Sequence, residues 1–318
     1  MGKALILFFF STCAFAAEDP VQSNFKDVDH KWLVESVLEF PFYSFYVGAP
    51  DVNGVAYLPN FMPRLGPRII YKDFGAMVTF SLPIPKEEVR RRGNSKEETF
   101  ILNSYWRQNA LDIYYQSIQG FYVDSPFTEL SFNKPERYPQ LPDTRVLNMG
   151  FNWYYVVTPN RYSLKAAFDQ NEFQLTSGGS WVIHPFFTHF EMFLGDRLIP
   201  GSSSDMLSQL PNLASGRFDT MGMALGYGYT YIRSHFFLSA QGVWGPAIQV
   251  QRIQRSNGNS SEVLSFAAKL NVNGAAGWNH EDYVSGVKVL VDSLWANVID
   301  TQLSSSLVSV QFFLGRRF

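Results

Sequence analysis

The chain of 318 residues holds one cysteine, Cys13, and it lies in an apolar leader. A fold stapled by disulfides is therefore excluded. Charged residues make up 17% of the sequence, against roughly 25% in an ordinary soluble domain. Beyond the leader there is no continuous apolar run of about 20 residues, which rules out transmembrane helices. Net charge is −2, and Arg90-Arg91-Arg92 is the main basic tract. That is too little for a nucleic-acid partner. The five histidines, His30, His184, His189, His235 and His280, show no metal-ligand spacing such as HExxH.

Aromatic residues, by contrast, reach 16%, while mean hydropathy is only −0.09. A sequence polar on average, rich in rings and free of long oily runs is what strict alternation produces. It suits a wall with one face in lipid and aromatic girdles at two interfaces.

The leader reads as a cleaved signal peptide over residues 1–16. Met1-Gly2-Lys3 supplies positive charge, Ala4 to Phe10 is apolar, and Ala14-Phe15-Ala16 is a small-x-small cleavage site. Phe10-Ser11-Thr12 before Cys13 does not match a lipoprotein lead-in. Residues 17–40 read as a periplasmic lead-in with a short helix near Trp32 to Val37. Residues 41–318 read as one all-β transmembrane antiparallel barrel.

Period two is clearest in Thr220 to Tyr231. Thr220, Gly222, Ala224, Gly226, Gly228 and Thr230 are small, while Met221, Met223, Leu225, Tyr227, Tyr229 and Tyr231 are large. Twelve unbroken residues exceed the usual soluble strand and match the roughly nine to eleven that cross a bilayer at a tilt. The last stretch repeats the pattern: Val308, Val310, Phe312, Leu314 and Phe318 share one parity, and Ser309, Gln311 and Gly315 the other. A soluble sandwich also alternates, but its strands are shorter.

Thirteen strands are expected: 42–48, 65–72, 74–82, 98–107, 109–118, 146–156, 163–173, 179–193, 219–231, 235–250, 262–276, 282–296 and 305–318. A bacterial barrel needs an even number. Omitting the first gives twelve, the favoured count; promoting Val55 to Leu58 gives fourteen. Gly195 to Arg217 becomes a long extracellular loop. Val123 to Arg145 falls on the periplasmic side, either as an inward plug or because the strand parity slips before it.

The polar parity places Arg68, Lys72, Asn103, Arg107, Asp112, Gln116, Asn148, Asn152, Lys165, Asp169, Lys269, Asn271, Lys288 and Asp292 inside. Charges there need partners or water. Ser180, His184 and Glu191 invite a hydrolase reading. Yet Ser180 and His184 sit about 13 Å apart along one strand face, and Glu191 has the other parity. No catalytic, cofactor-binding or metal-binding residue is assigned, and the chain is not expected to be an enzyme.

Several stretches also carry a resemblance. They are Leu58-Pro59-Asn60, Leu65-Gly66 with Tyr71-Lys72, Gly93-Asn94-Ser95-Lys96, Leu111 to Gln116, Gly120-Phe121-Tyr122, Asn152 to Tyr155 and Arg161-Tyr162-Ser163. The most specific is Ala166 to Gln174 followed by Ser177-Gly178-Gly179-Ser180. Over about Phe42 to Met192 the chain resembles the uncharacterised DUF4421 family of Gram-negative barrel proteins. Members often carry lysine just before that serine, where this chain has Thr176. The resemblance implies an outer-membrane barrel and supplies no activity, ligand or catalytic residue.

The expected function is a porin-like passive channel for small solutes. The alternatives are a non-conducting structural or lipid-organising oligomeric barrel, and a membrane-embedded lipid hydrolase. Expected partners are outer-membrane lipids or lipopolysaccharide and other copies of the chain; no cofactor is implied.

Overall fold

The computed structural model describes residues 24–28, 31–49, 52–124, 136–194, 213–255, 258–298 and 301–318. The expected signal peptide, and most of the expected loop from Gly195, lie outside them. In chain order the strands are β1 (Phe25–Asp27), β2 (Leu33–Ala49), β3 (Val52–Leu58), β4 (Arg64–Tyr71), β5 (Phe74–Met77) and β6 (Phe80–Ser81). A short helix α1 (Lys86–Arg92) precedes β7 (Lys96–Tyr105), β8 (Asn109–Asp124) and β9 (Gln140–Val156). A π-helical turn (Lys165–Asp169) leads to β10 (Glu172–Gln174) and β11 (Gly178–Phe193). The rest is β12 (Leu213–Arg233), β13 (Phe236–Arg255), β14 (Ser260–Asn279), β15 (Tyr283–Val298) and β16 (Thr301–Arg317).

All strand pairings are antiparallel. β1 and β10 form a small sheet, and the other fourteen strands form one large sheet. Its ladder returns on itself. From β2 it runs through β16, β15, β14, β13, β12, β11, β9, β8, β7, β5 and β4, and β4 pairs back onto β2. The first half of β2, Leu33 to Glu39, takes β4. Its far half, Phe45 to Ala49, takes β3, which bridges to Tyr122 to Asp124 of β8. At that end β3 alone replaces the stretch β4–β5–β7.

Side-chain alternation decides the faces. In β12 Thr220, Ala224 and Thr230 are buried, while Met221, Met223, Leu225, Tyr227, Tyr229 and Tyr231 are exposed. In β14 Ala267, Lys269 and Asn271 are buried, and Leu264 and Phe266 stand out, Phe266 at 81% exposure. Such residues encircle the sheet, including Phe42, Ile69, Phe100, Phe151, Ile248, Phe312 and Leu314. A continuous apolar belt of this kind is foreign to a water-facing surface.

Three expected segments fold differently. Residues 163–173, expected as a strand, form the π-helical turn and β10 on the inner side. Removing that strand, rather than 42–48, restores the parity. The β8–β9 and β11–β12 connections then share the end opposite the chain's termini. The expected helix near Trp32 to Val37 is instead the first half of β2, whose Leu33, Glu35, Val37 and Glu39 are all buried. Segment 74–82 is split into β5 and β6, though both pair with β4. Gly120, at φ 85°, marks the register shift in β8. A Cβ there would lie 2.3 Å from the Asn94 carbonyl oxygen, so no side chain fits without moving backbone.

Candidate functional site

The enclosed space has a plug at the end carrying the termini. Ser163 starts it: its hydroxyl accepts from the Ala166 amide at 3.2 Å and donates to Glu172 Oε2 at 2.5 Å. Gln170, at φ 55°, reverses the chain, and β10 returns to pair with β1. Tyr162 lies where a Gly228 Cβ would come within 2.5 Å of its ring, so the bare glycine admits it.

Polar clamps then fasten the plug to the wall. Asp169 pairs with Arg68, whose Nη1 also donates to Glu35 Oε2 at 3.3 Å. Lys165 Nζ reaches Asp73 Oδ1 at 2.9 Å, and Arg107 Nε donates to Glu172 Oε1 at 2.8 Å. Asn171 donates to the Lys72 carbonyl at 2.7 Å, and Tyr162 to Gln241 Oε1 at 3.3 Å.

Burial raises the carboxyl of Glu172 from its ordinary 4.5 despite hydrogen bonds from Arg107 and Ser163. Burial also raises Asp169 from 3.8, against the opposing field of Arg68. A docked plug thus holds more protons than a released one. The sign follows: docking is strongest below these ordinary values and weakens as pH rises through the raised ones. Hydrogen exchange of amides 162–174 should accordingly quicken from acid toward neutral pH, beyond the intrinsic pH trend measured at control amides. Equal protection at both pH values would contradict it.

The other end holds a cluster of apolar side chains. Phe45 stacks on Tyr57 with centroids 4.4 Å apart, and Phe121 meets Phe45 edge-on at 5.3 Å. Tyr43, Ile118, Val146, Met192, Phe218, Ile253 and Leu303 belong to the same buried cluster, which draws on eight strands including β3.

Between the closures lies a cavity of about 200 Å³. Ten of the residues expected inside line it: Arg68, Asn103, Asp112, Gln116, Asn148, Asn152, Lys269, Asn271, Lys288 and Asp292. Lys165 and Asp169 are interior too, but on the plug rather than the wall. Lys72 and Arg107 sit in turns at the plug end instead, because their segments end sooner than expected. Most interior polar groups are partnered. Lys269 Nζ lies 3.0 Å from Asp292 Oδ1, Asn103 donates to Asp112 at 2.6 Å, and Tyr154 donates to Asn271 at 3.2 Å. Sequence reasoning missed Glu35, Glu39, Arg64 and Glu97. Arg64 pairs with both Glu39 and Glu97 across three strands, and only the i, i+2 repeat of Glu35, Val37 and Glu39 hinted at it.

The wall beside this cavity is incompletely paired. β5 and β7 share three residue pairs, Phe74 to Ala76 with Leu102 to Ser104. Beyond them the described residues 77–81 and 96–101 have no ladder between them. Met77, Thr99 and Ile101 line the cavity there, and Thr99 is exposed.

Ser180, His184 and Glu191 do not assemble. Ser180 Oγ accepts from the Thr158 amide at 2.8 Å and donates to the Trp181 carbonyl at 3.0 Å. His184 donates to Asn152 Oδ1 at 3.2 Å and stacks on Tyr154, while Glu191 binds Arg217. His189 Nδ1 faces Asp219 Oδ1 at 2.5 Å. Among the described residues no group of three potential ligands could hold a metal ion.

Comparison with known families matches residues 41–318 to the model described as "Domain of unknown function (DUF4421)". No curated protein matches. Among solved structures, the outer membrane protease OmpT from Escherichia coli is 8% identical, with a TM-score of 0.42, covering 92% of this chain and 98% of that one. Ail, the attachment invasion locus protein of Yersinia pestis, is 10% identical with a TM-score of 0.27, covering 91% and 99%. OmpT of Vibrio cholerae is 7% identical with a TM-score of 0.30, covering 89% and 98%. Likenesses this distant say nothing about activity.

Proposed function

The chain belongs to the DUF4421 family, and from that membership and the geometry above we propose that it is a twelve-stranded outer-membrane β-barrel that does not conduct and holds a small binding cavity. The closed circuit supports the count, and the apolar belt supports the bilayer. In hydrocarbon every backbone donor and acceptor must be satisfied within the protein, which a ladder returning on itself achieves everywhere but along the seam between β5–β6 and β7. Phe318, beside the near-end turns, then sits at the periplasmic interface.

The observation that carries the reading is that an ion-paired plug lies inside one end of the lumen and a cluster of stacked rings inside the other. A passive channel would need both to move. Insertion of the full chain into planar bilayers should therefore give no discrete conductance steps at moderate voltage. Steps of regular size from a correctly folded sample would restore the porin reading. Catalysis is not part of the proposal: the hydroxyl of Ser180 is engaged by backbone, and the partners of His189 are the carboxylates Asp219 and Glu191. Hydrolysis of a lipid ester abolished by Ser180→Ala would overturn that point.

A further inference from the structure

We propose that the cavity binds a single-chain anionic amphiphile, its head group on Lys288 and its tail passing through the unpaired seam between β5–β6 and β7. This rests on the closed-barrel reading and names the ligand class of its cavity.

The head-group end is set by charge. Lys288 lines the cavity on β15, with its Nζ 4.4 Å from the centre of the Phe313 ring. The neighbouring cations are matched. Arg68 contacts Glu35 and Asp169, whose fields also reach Lys288, and Lys269 contacts Asp292. Among the described residues no carboxylate lies within ion-pair distance of Lys288, and an aromatic face is a weaker partner than a counter-ion. Lys288 therefore has carboxylates nearby but none in contact, and a direct charged hydrogen-bond partner is what it lacks. A carboxylate or phosphate monoester would meet that need where a neutral alcohol would not.

The tail end is set by the wall. Past Ala76 and Leu102 the strands part, and their outer surfaces carry Val78, Phe80 and Phe100, all exposed. Phe80 pairs in register with Leu65, and Leu65 with Leu38, which pairs with Phe312 of the outer belt. The gap thus lies at hydrocarbon depth. Unpaired strand edges are tolerated there only where they line a cavity or are covered. Inside the gap Met77 and Ile101 flank the cavity, with Phe168 and Leu290 beyond. An apolar cavity of about 150 Å³ holds a benzene-sized molecule. The present one accommodates a head group and a few methylenes, leaving the rest of an acyl chain in the seam.

The test uses the full-length protein in a non-ionic detergent, with sodium decanoate and its neutral analogue decanol as probes. Native mass spectrometry reads bound probe. Decanoate should bind roughly tenfold or more tighter than decanol, the discrimination a direct charge contact inside a cavity provides. In Lys288→Met the preference should vanish. Lys288→Arg should keep it. Thr99→Trp, which fills the mouth, should slow decanoate uptake without changing the preference. Undiminished preference in Lys288→Met, or equal binding of both probes by the wild type, would overturn the ligand assignment. Regular conductance steps would instead overturn the closed barrel beneath it, so the two failures are distinguishable.

Discussion

Replacing Arg68 by alanine should unseat the plug and lower the stability of the folded protein by about 3–5 kcal/mol, the usual cost of stripping one partner from a buried ionic group. Glu35 and Asp169, both with fully buried side chains, would be left with only the non-contacting Lys288 to offset them. Neither can reach water, and one must take up a proton or move. Asp169 is the one free to move, since it rides on a five-residue turn, whereas Glu35 is held in a strand paired on both sides. Hydrogen exchange at amides 162–174 should rise together with the loss of stability to denaturant in detergent. Arg68→Lys should recover only part of the effect, because one ammonium cannot replace a guanidinium that serves two carboxylates. Replacing all three charges with Arg68→Met, Glu35→Gln and Asp169→Asn should cost much less than Arg68→Ala alone. A surface pair gives the contrast: Arg90→Ala removes an exposed contact with Glu87 and should be nearly neutral. An Arg68→Ala protein as stable as the wild type would mean that the plug is not held by this cluster.

The same cluster shows where the sequence could and could not be read. Long strands with clean alternation, such as Thr220 to Tyr231, announce themselves because each residue's environment is decided by its own parity. Residues 163–173 mimic that signal. Leu164, Ala166 and Phe168 alternate with Ser163, Lys165, Ala167 and Asp169, yet Lys165 and Asp169 are buried on a plug, paired with Asp73 and Arg68. A lumen accepts polar side chains from a plug as readily as from a strand, so period two cannot tell them apart. The start of β2 misleads in the opposite way. Glu35 and Glu39 are four apart, a helical spacing, but their partners Arg68 and Arg64 lie on β4. That long-range pairing is invisible in a local window. The ten cavity-lining residues were legible because their strands were. The seam was not, since it is an absence of pairing between Phe80 and Phe100 rather than a property of either residue.

Two closures in series lead to the other large expectation, which concerns conductance. Current through a pore is limited by its narrowest section, so opening one end alone should leave the channel shut. Removal of the plug by a short glycine-serine link in place of residues 162–174 should expose the cavity to the periplasmic side and give no steps. Phe45→Ala with Tyr57→Ala and Phe121→Ala should loosen the far cluster, since truncating buried rings costs roughly 3–5 kcal/mol each when the space cannot collapse. The plug would still seal that variant. Only the combination should conduct, and its steps should favour neither ion strongly, because Lys269 with Asp292 and Arg68 with Glu35 put both signs along the path. The triple substitution must first be shown to fold, by heat-modifiable migration in detergent gels. Because the ladder rather than the cluster holds the wall, strand pairing should survive it. Steps from the plug deletion alone would show that the stacked rings of Phe45, Tyr57 and Phe121 do not close the lumen, and the cavity would then be a vestibule rather than a sealed chamber.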